Sequence, residues 1–298
     1  MAIQAEAPQP AAARVRMGLA LGGGAELGLA HIGVLRILER HGLIPSYLAG
    51  SSAGALAAAF YAAGASVAKM RRLATRLTWR AIQRLTIPVL ALSTNEPLRA
   101  FLNCMLPVRD FASLRIPLRL VTTDLLTAEM VVFEGGPPFQ PQGLIADPDV
   151  IFTTGDLVEA IRASCARPVI NKPVKLGGRL LVDGCLTNNV PAMLVRDMGA
   201  DVVVAVDLTQ KRLRDAPPRN ILSYAAQAQA IQLHWALKSR HIAADVIIRP
   251  DFSGVGPADF AAADRITRCG ETAAEAALPL IEEALAGRRQ SAESRSPG

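Results

Sequence analysis

The chain has 298 residues, 51% of them apolar and 4% aromatic, which is apolar enough to fill a sizeable core and excludes a largely disordered protein. The formal net charge of +6 suits an anionic partner such as an acidic lipid surface, but no Lys/Arg cluster is interleaved with aromatics as a single-strand groove requires, so no nucleic-acid partner is expected. No run of ~18 apolar residues predicts a membrane span, and Cys104, Cys165, Cys185 and Cys269 match no zinc or redox spacing, so they read as reduced thiols of a cytoplasmic protein with no metal.

Residues 1–15 carry Glu6, Pro8 and Pro10 and lack the apolar core of a signal peptide, so they read as a flexible arm. MGLALGGG, from Met17, is an apolar run closed by glycines: a strand, then a tight loop. In GLAHIGVLRILERHG the residues Leu29, Ile32, Leu35 and Leu38 recur at helical spacing and Gly42 closes the helix. His31 lies a turn past the glycine loop, placed to brace it. IPSYLAGS reads as a second strand and SAGALAAAFYAAG as an Ala-rich helix. Residues 65–106 read as helical and amphipathic, with Lys69, Arg71, Arg72, Arg76, Arg80 and Arg84 beside Leu73, Leu77, Trp79, Ile82 and Leu85. This is either a surface helix with a solvated basic face or a cap that meets anionic headgroups at a peripheral membrane surface.

PLRLVTTDL and MVVFEG read as strands around a turn at residues 126–128. Residues 135–155, rich in Pro and Gly, read as a long loop. DLVEAIRASC is a helix with Asp156 or a neighbour at its N-terminus. GRLLVDGCLTNNVPA is strand, turn and helix start. VVVAV, after Gly199, has the fully apolar pattern of a buried parallel strand. Residues 218–240 predict a long helix, ADVIIRPD a last strand, and the final helix precedes a tail, 287–298, that reads as disordered. Strands alternating with helices predict an α/β fold: a three-layer arrangement with a mostly parallel central sheet and helices on both faces, as one domain over 16–286.

Three glycine-marked turns carry candidate chemistry. Gly50, Ser52 and Gly54 spell G-x-S-x-G between an apolar strand and an Ala-rich helix, the setting of a nucleophile on a sharp turn. Gly22, Gly23 and Gly24 precede a helix, where aligned backbone N–H groups suit an oxyanion. A dinucleotide fingerprint fails there: the glycine spacing is wrong, and Ser51 and Ser52 stand where an acidic residue belongs. No Gly-Lys-Ser/Thr follows, so a phosphate loop fails as well. A serine needs a base to take its proton, and Asp183-Gly184 offers either that base or an ordinary Asp-Gly turn. His234, within IQLHWAL, reads as a core histidine and His241 as a helix-end residue, while His41 lies on the first helix.

Taken together, LALGGG…GLAHIGVLRILE, LAGSSAGAL, IPLRLVTTDLLTAE, LVDGCLTNNVPA, GADVVVAVDL and ADVIIRPDFSG fall in the order of the patatin-like phospholipases. The chain resembles their short bacterial type, akin to the esterase domain of neuropathy target esterase, from about Met17 to about Leu285. The resemblance implies a Ser-Asp dyad without histidine: Ser52 as nucleophile and Asp183 as its base. It implies oxyanion donors from Gly22, Gly23, Gly24 and Ala25, a lipid-ester substrate cleaved through an acyl-enzyme, and no cofactor. Three positions depart from the pattern. Leu27, after Glu26, replaces the usual Arg or Lys. Cys185 follows Gly184 in place of Gly or Ala. SCARPVIN replaces a Ser-x-Pro-Gly stretch. The first departure motivates an alternative, a weakly active lipid-binding regulator; an acyltransferase or thioesterase would use the same dyad. Acyl preference and oligomeric state are not encoded legibly.

Overall fold

The computed structural model describes residues 15–74, 83–85, 91–209, 217–239, 242–253 and 263–294. In chain order the first half holds β1 (Met17–Leu21), α1 (Ala30–Arg40), β2 (Tyr47–Ser51), α2 (Ala53–Ala62), α3 (Val67–Ala74), β3 (Arg84–Leu85), β4 (Ser93–Thr94), α4 (Glu96–Met105), β5 (Leu118–Asp124) and β6 (Met130–Gly135). The second half holds β7 (Val150–Thr153), α5 (Leu157–Ser164), β8 (Val174–Leu176), β9 (Arg179–Asp183), α6 (Ala192–Asp197), β10 (Val202–Val206), α7 (Ile221–Ser239), β11 (Val246–Ile248) and α8 (Ala263–Glu293).

The main sheet runs β11-β10-β1-β2-β5-β6-β7, with β9 and β8 attached beyond β2 on β5. The neighbours β11/β10, β10/β1, β1/β2, β2/β5 and β6/β7 are parallel, while β5/β6, β5/β9 and β8/β9 are antiparallel. The central strands are buried on both faces, which is why their sequences are continuously apolar. Their side chains still alternate. Leu19, Leu21, Val202, Val204 and Val206 face one core layer, and Ala20, Val203 and Ala205 face the other. The first layer is filled from α1, α2, α5 and α8. The second is thinner: small residues on the sheet let α6 lie close, and Phe139 and Ile145 of the loop between β6 and β7 pack beside it. Leu19, Leu21, Leu48, Leu118 and Leu120 are wholly buried, each contributing roughly 1.5–3 kcal/mol relative to exposure.

Three expectations change. Residues 65–106 are not one amphipathic helical segment. Helix is present at α3 and α4, and between them β3 pairs with β4 through Arg84–Thr94 and Leu85–Ser93. The run T-I-P-V-L is β-branched and broken by a proline, which disfavours continuous helix; residues 75–82, with Arg76, Leu77, Trp79, Arg80 and Ile82, and residues 86–90 lie outside the described residues. Residues 135–155 are not all loop either. Val150–Thr153, a β-branched and aromatic run, adds to β6 in parallel as β7. The tail is helical further than expected, because α8 continues through Glu293 over good helix formers. The N-terminal arm, residues 1–14, and His241 lie outside the described residues. No helix among the described residues is long and apolar enough to cross a membrane.

One feature of the topology positions the site. β2 pairs with β5 up to Ser51–Val121, and the next residue of β5, Thr122, pairs with Asp183 of β9. β6 occupies the other edge of β5 throughout this stretch. So β2 and β9 meet nearly end to end along a single edge of β5, and the residues at their tips, Ser52 and Asp183, are brought together.

Candidate active site

Ser52 sits between the end of β2 and the start of α2 at φ 52°, ψ −121°. That region is open to glycine and costs another residue about 1–3 kcal/mol. The motif glycines are needed for space. A Cβ on Gly54 would lie 2.0 Å from the carbonyl oxygen of Leu21, and one on Gly50 would lie 2.6 Å from that of Gly54. The turn is also tied from outside. The Ser52 amide donates to Ser164 Oγ at 2.9 Å, and that hydroxyl donates to the carbonyl of Val121 at 2.6 Å. Sheet, helix α5 and turn therefore hold one another, and the strained serine cannot relax without breaking a buried bond.

Asp183 is 3% exposed. Its Oδ2 accepts the Ser52 hydroxyl at 2.8 Å, and its Oδ1 accepts the Cys185 amide at 2.9 Å. The backbone is clamped as well: the Asp183 amide donates to Ala166 and its carbonyl accepts from Thr123 Oγ1. Gly184 lets the chain pass against β5, since a Cβ there would lie 2.2 Å from the Val121 carbonyl. Burial pushes the Asp183 carboxyl above the ordinary aspartate range, opposed by the hydrogen bonds from Cys185 and Ser52. The result is a carboxylate more basic than one in water, bonded to a hydroxyl, which is the relation a general base needs. No histidine among the described residues hydrogen-bonds to either group. His234, on α7, stacks edge-on to Trp235 with its Nδ1 unbonded.

The glycine loop reaches the same point, with a correction. Gly22 does not offer its amide to an oxyanion, because it continues the sheet ladder to the Val206 carbonyl at 3.0 Å. The Gly23 amide is shared between the backbone and side-chain oxygens of Asn189, both at 3.2 Å. Gly23 nevertheless lies against Ser52: a Cβ on it would be 3.1 Å from Ser52 Cβ and 2.2 Å from Cys185 Sγ. Past Gly24, Ala25 takes φ 52° and opens a 3-10 turn over Ala25–Leu29. His31 braces this loop as expected, with Nε2 2.7 Å from the Gly22 carbonyl. Leu27, in place of a cation, is buried among core side chains, and Glu26 is buried beside the pocket.

A pocket of about 1010 Å³, counting its open mouth, leads to Ser52. Leu29, Ile32, Leu56, Phe60, Leu98 and Phe101 give it apolar walls, and Ala25, Ala53, Glu26, Gln83 and Arg167 supply backbone and polar groups. Met70 and Leu73 of α3 face into it while Arg71 and Arg72 are exposed. Two thiols flank the serine. Cys165 Sγ donates to the Ser52 carbonyl at 3.3 Å, and Cys185 Sγ lies 3.7 Å from Ser51 Oγ. Burial and the Asp183 charge push both thiols up, so neither is a thiolate nucleophile near neutral pH.

The sequence left two contributors unassigned. Ser164 and Asn189 bond to the backbone of the Ser52 turn and of the glycine loop, respectively. Their only sequence signal is position: a small hydroxyl at the end of α5, and an Asn shortly after Asp183-Gly184.

Residues 19–196 match the family model for patatin-like phospholipase. Over 224 residues the chain is 35% identical to an uncharacterized NTE family protein of Mycobacterium tuberculosis, covering 71% of this chain and 56% of that protein. It is 26% identical over 231 residues to Lysophospholipase NTE1 of Debaryomyces hansenii, covering 76% of this chain and 14% of that protein. The chain thus spans about half the length of the mycobacterial relative and a small part of the other. Among solved structures, VipD from Legionella pneumophila superposes with a TM-score of 0.50 at 13% identity, covering 91% of this chain and 67% of that one. At that identity the likeness bears on the fold alone.

Proposed function

Because the chain belongs to the patatin-like phospholipase family, we propose that it is a serine acyl hydrolase that cleaves fatty-acyl esters of phospholipids or lysophospholipids with a Ser52–Asp183 dyad. The observation that carries this reading is the 2.8 Å bond from the Ser52 hydroxyl to Asp183, on a strained turn at the end of an apolar pocket. Asp183 takes the hydroxyl proton as Ser52 Oγ bonds to the ester carbonyl carbon. The oxyanion faces the backbone amides of Gly23, Gly24 and Ala25, the Gly22 amide being held by Val206. Collapse breaks the bond to the alcohol oxygen, which leaves with the proton held by Asp183. Water then gives a proton to Asp183 and attacks the acyl-Ser52, and the fatty acid is released as Ser52 regains its hydrogen. The apolar walls hold the acyl chain. The exposed Arg71 and Arg72 on α3 would meet anionic headgroups, the apolar side of that helix being turned into the pocket.

The test is covalent labelling by a fluorophosphonate probe together with hydrolysis of lysophospholipid. Labelling is expected in wild type and His234→Ala and is absent in Ser52→Ala. Persistent labelling of Ser52→Ala refutes the assignment. The pocket makes a second prediction. Ala57 is 7% exposed on its α2 wall. Ala57→Phe fills that space, lowering kcat/KM on long-chain p-nitrophenyl esters by about tenfold or more, the scale on which a hydrophobic pocket discriminates substrates, while acetate and butyrate esters change little. An equal loss on short and long esters places the acyl chain elsewhere.

A further inference from the structure

The Gly22–Gly23 peptide is held at both ends. A trans peptide points its C=O and its N–H in opposite directions, so fixing one aims the other. The Gly22 carbonyl is bound by His31 Nε2 at 2.7 Å. On the far side, the Gly23 amide is divided between two oxygens of Asn189 at 3.2 Å each, the long end of the hydrogen-bond range. His31 is fully buried, and burial lowers it to about 4, so the ring is neutral and donates from Nε2. Its Nδ1 is buried without a hydrogen-bond partner, an unfavourable state for a ring nitrogen. The imidazole is thus kept in the core for the single bond it makes.

We propose that His31 is the positioning residue of the oxyanion-binding loop: it holds the Gly22 carbonyl back so that the Gly23 amide faces the carbonyl carried on Ser52, and Asn189 is the resting acceptor that the oxyanion displaces. This rests on the acyl-hydrolase reading. No proton is transferred in the exchange. A long, shared bond to amide oxygens is replaced by a charge-assisted one to the oxyanion, so the gain exists only once the tetrahedral species forms. Asn189 retains its tie to Thr209 through Nδ2 at 3.2 Å.

The experiment compares wild type, His31→Leu and His31→Gln on a p-nitrophenyl ester and on an alkyl trifluoromethyl ketone, to which Ser52 Oγ adds to form a tetrahedral oxyanion. His31→Leu is expected to lose about 100-fold in kcat, the scale of one oxyanion donor, with KM nearly unchanged and the same factor lost in ketone affinity. His31→Gln, whose amide can reach the Gly22 carbonyl as a donor, recovers about tenfold of this loss. Unchanged kcat in His31→Leu, or no recovery in His31→Gln, overturns the proposal. Should His31→Leu fail to fold, wild type decides: the Gly23 amide proton must move downfield when the ketone adduct forms, and a static signal overturns it. Wild type that neither hydrolyses the ester nor forms the adduct overturns the acyl-hydrolase reading along with it.

Discussion

Asp183→Asn is expected to lower ester hydrolysis by about four orders of magnitude, the scale seen when the carboxylate of a serine-hydrolase triad is neutralised, while making the fold more stable at neutral pH. The two effects share one cause. Burial disfavours the charged carboxylate, so its folded pKa stands above the unfolded one. For such a group, protonation favours the folded state. That contribution is complete below the unfolded pKa and is lost as pH rises through the folded pKa. At neutral pH the ionised Asp183 therefore weakens the fold that holds it. Asparagine removes the charge and keeps the useful geometry: its oxygen still accepts the Cys185 amide, and its nitrogen donates to Ser52 Oγ. A gain of ~1 kcal/mol raises Tm by roughly 2–4 °C in a large domain. Thermal melts of both proteins across pH 4 to 8 measure this. The variant's advantage must shrink as pH falls and Asp183 takes up its proton in wild type. An Asn variant that melts below wild type at neutral pH contradicts the account. The kcat/KM profile of wild type, which reports the free enzyme, carries the same mark, an acid limb above the ordinary aspartate range.

The parts of the site that were legible in the sequence are those where close approach permits one residue type. Gly54 faces the Leu21 carbonyl and Gly184 the Val121 carbonyl, and such glycines punctuate the chain visibly. The buried strands were legible for a similar reason: a strand covered on both faces must be apolar throughout. The pairing of Ser52 with Asp183 was not, since 131 residues separate them and only the shared edge of β5 joins them. Local pattern carries no information on that edge; the order of motifs in a known family supplied it. β7 was hidden because Pro and Gly around it outweigh four strand-forming residues, and its stability comes from β6. Ser164 and Asn189 were hidden because hydrogen bonds to backbone atoms leave no spacing rule. Their work is to hold peptide groups of the Ser52 turn and of Gly23.

The largest stability loss is expected from Asp197→Ala, far from the dyad. Arg119 alternates with Leu118 and Leu120 and so points into the thin second layer, where it is 1% exposed. Its Nη1 lies 2.7 Å from Asp197 Oδ2 and 3.1 Å from the Leu194 carbonyl, and its Nε lies 2.8 Å from Glu134. The rings of Phe152 and Phe139 flank the guanidinium at 4.5 and 5.2 Å. Asp197 in turn holds the loop that covers this face, accepting the amides of Leu144 at Oδ1 and Gln142 at its backbone carbonyl, both at 2.7 Å. Removing the Asp197 carboxylate strands the Leu144 amide and leaves the buried guanidinium with the more exposed Glu134 as its remaining acidic partner. Breaking such a pair costs about 3–5 kcal/mol, more than the burial of one core leucine contributes. Urea titration should show that loss, and protease should cut within 136–149 under conditions that spare wild type. Replacing both members of the buried pair, as Arg119→Met with Asp197→Leu, leaves Glu134, 27% exposed at its side chain, able to turn to water, and should recover most of the loss despite the lost loop contact. If Asp197→Ala costs under ~1 kcal/mol, as a screened surface pair would, the guanidinium has an alternative route to water and the second layer is not held by this pair.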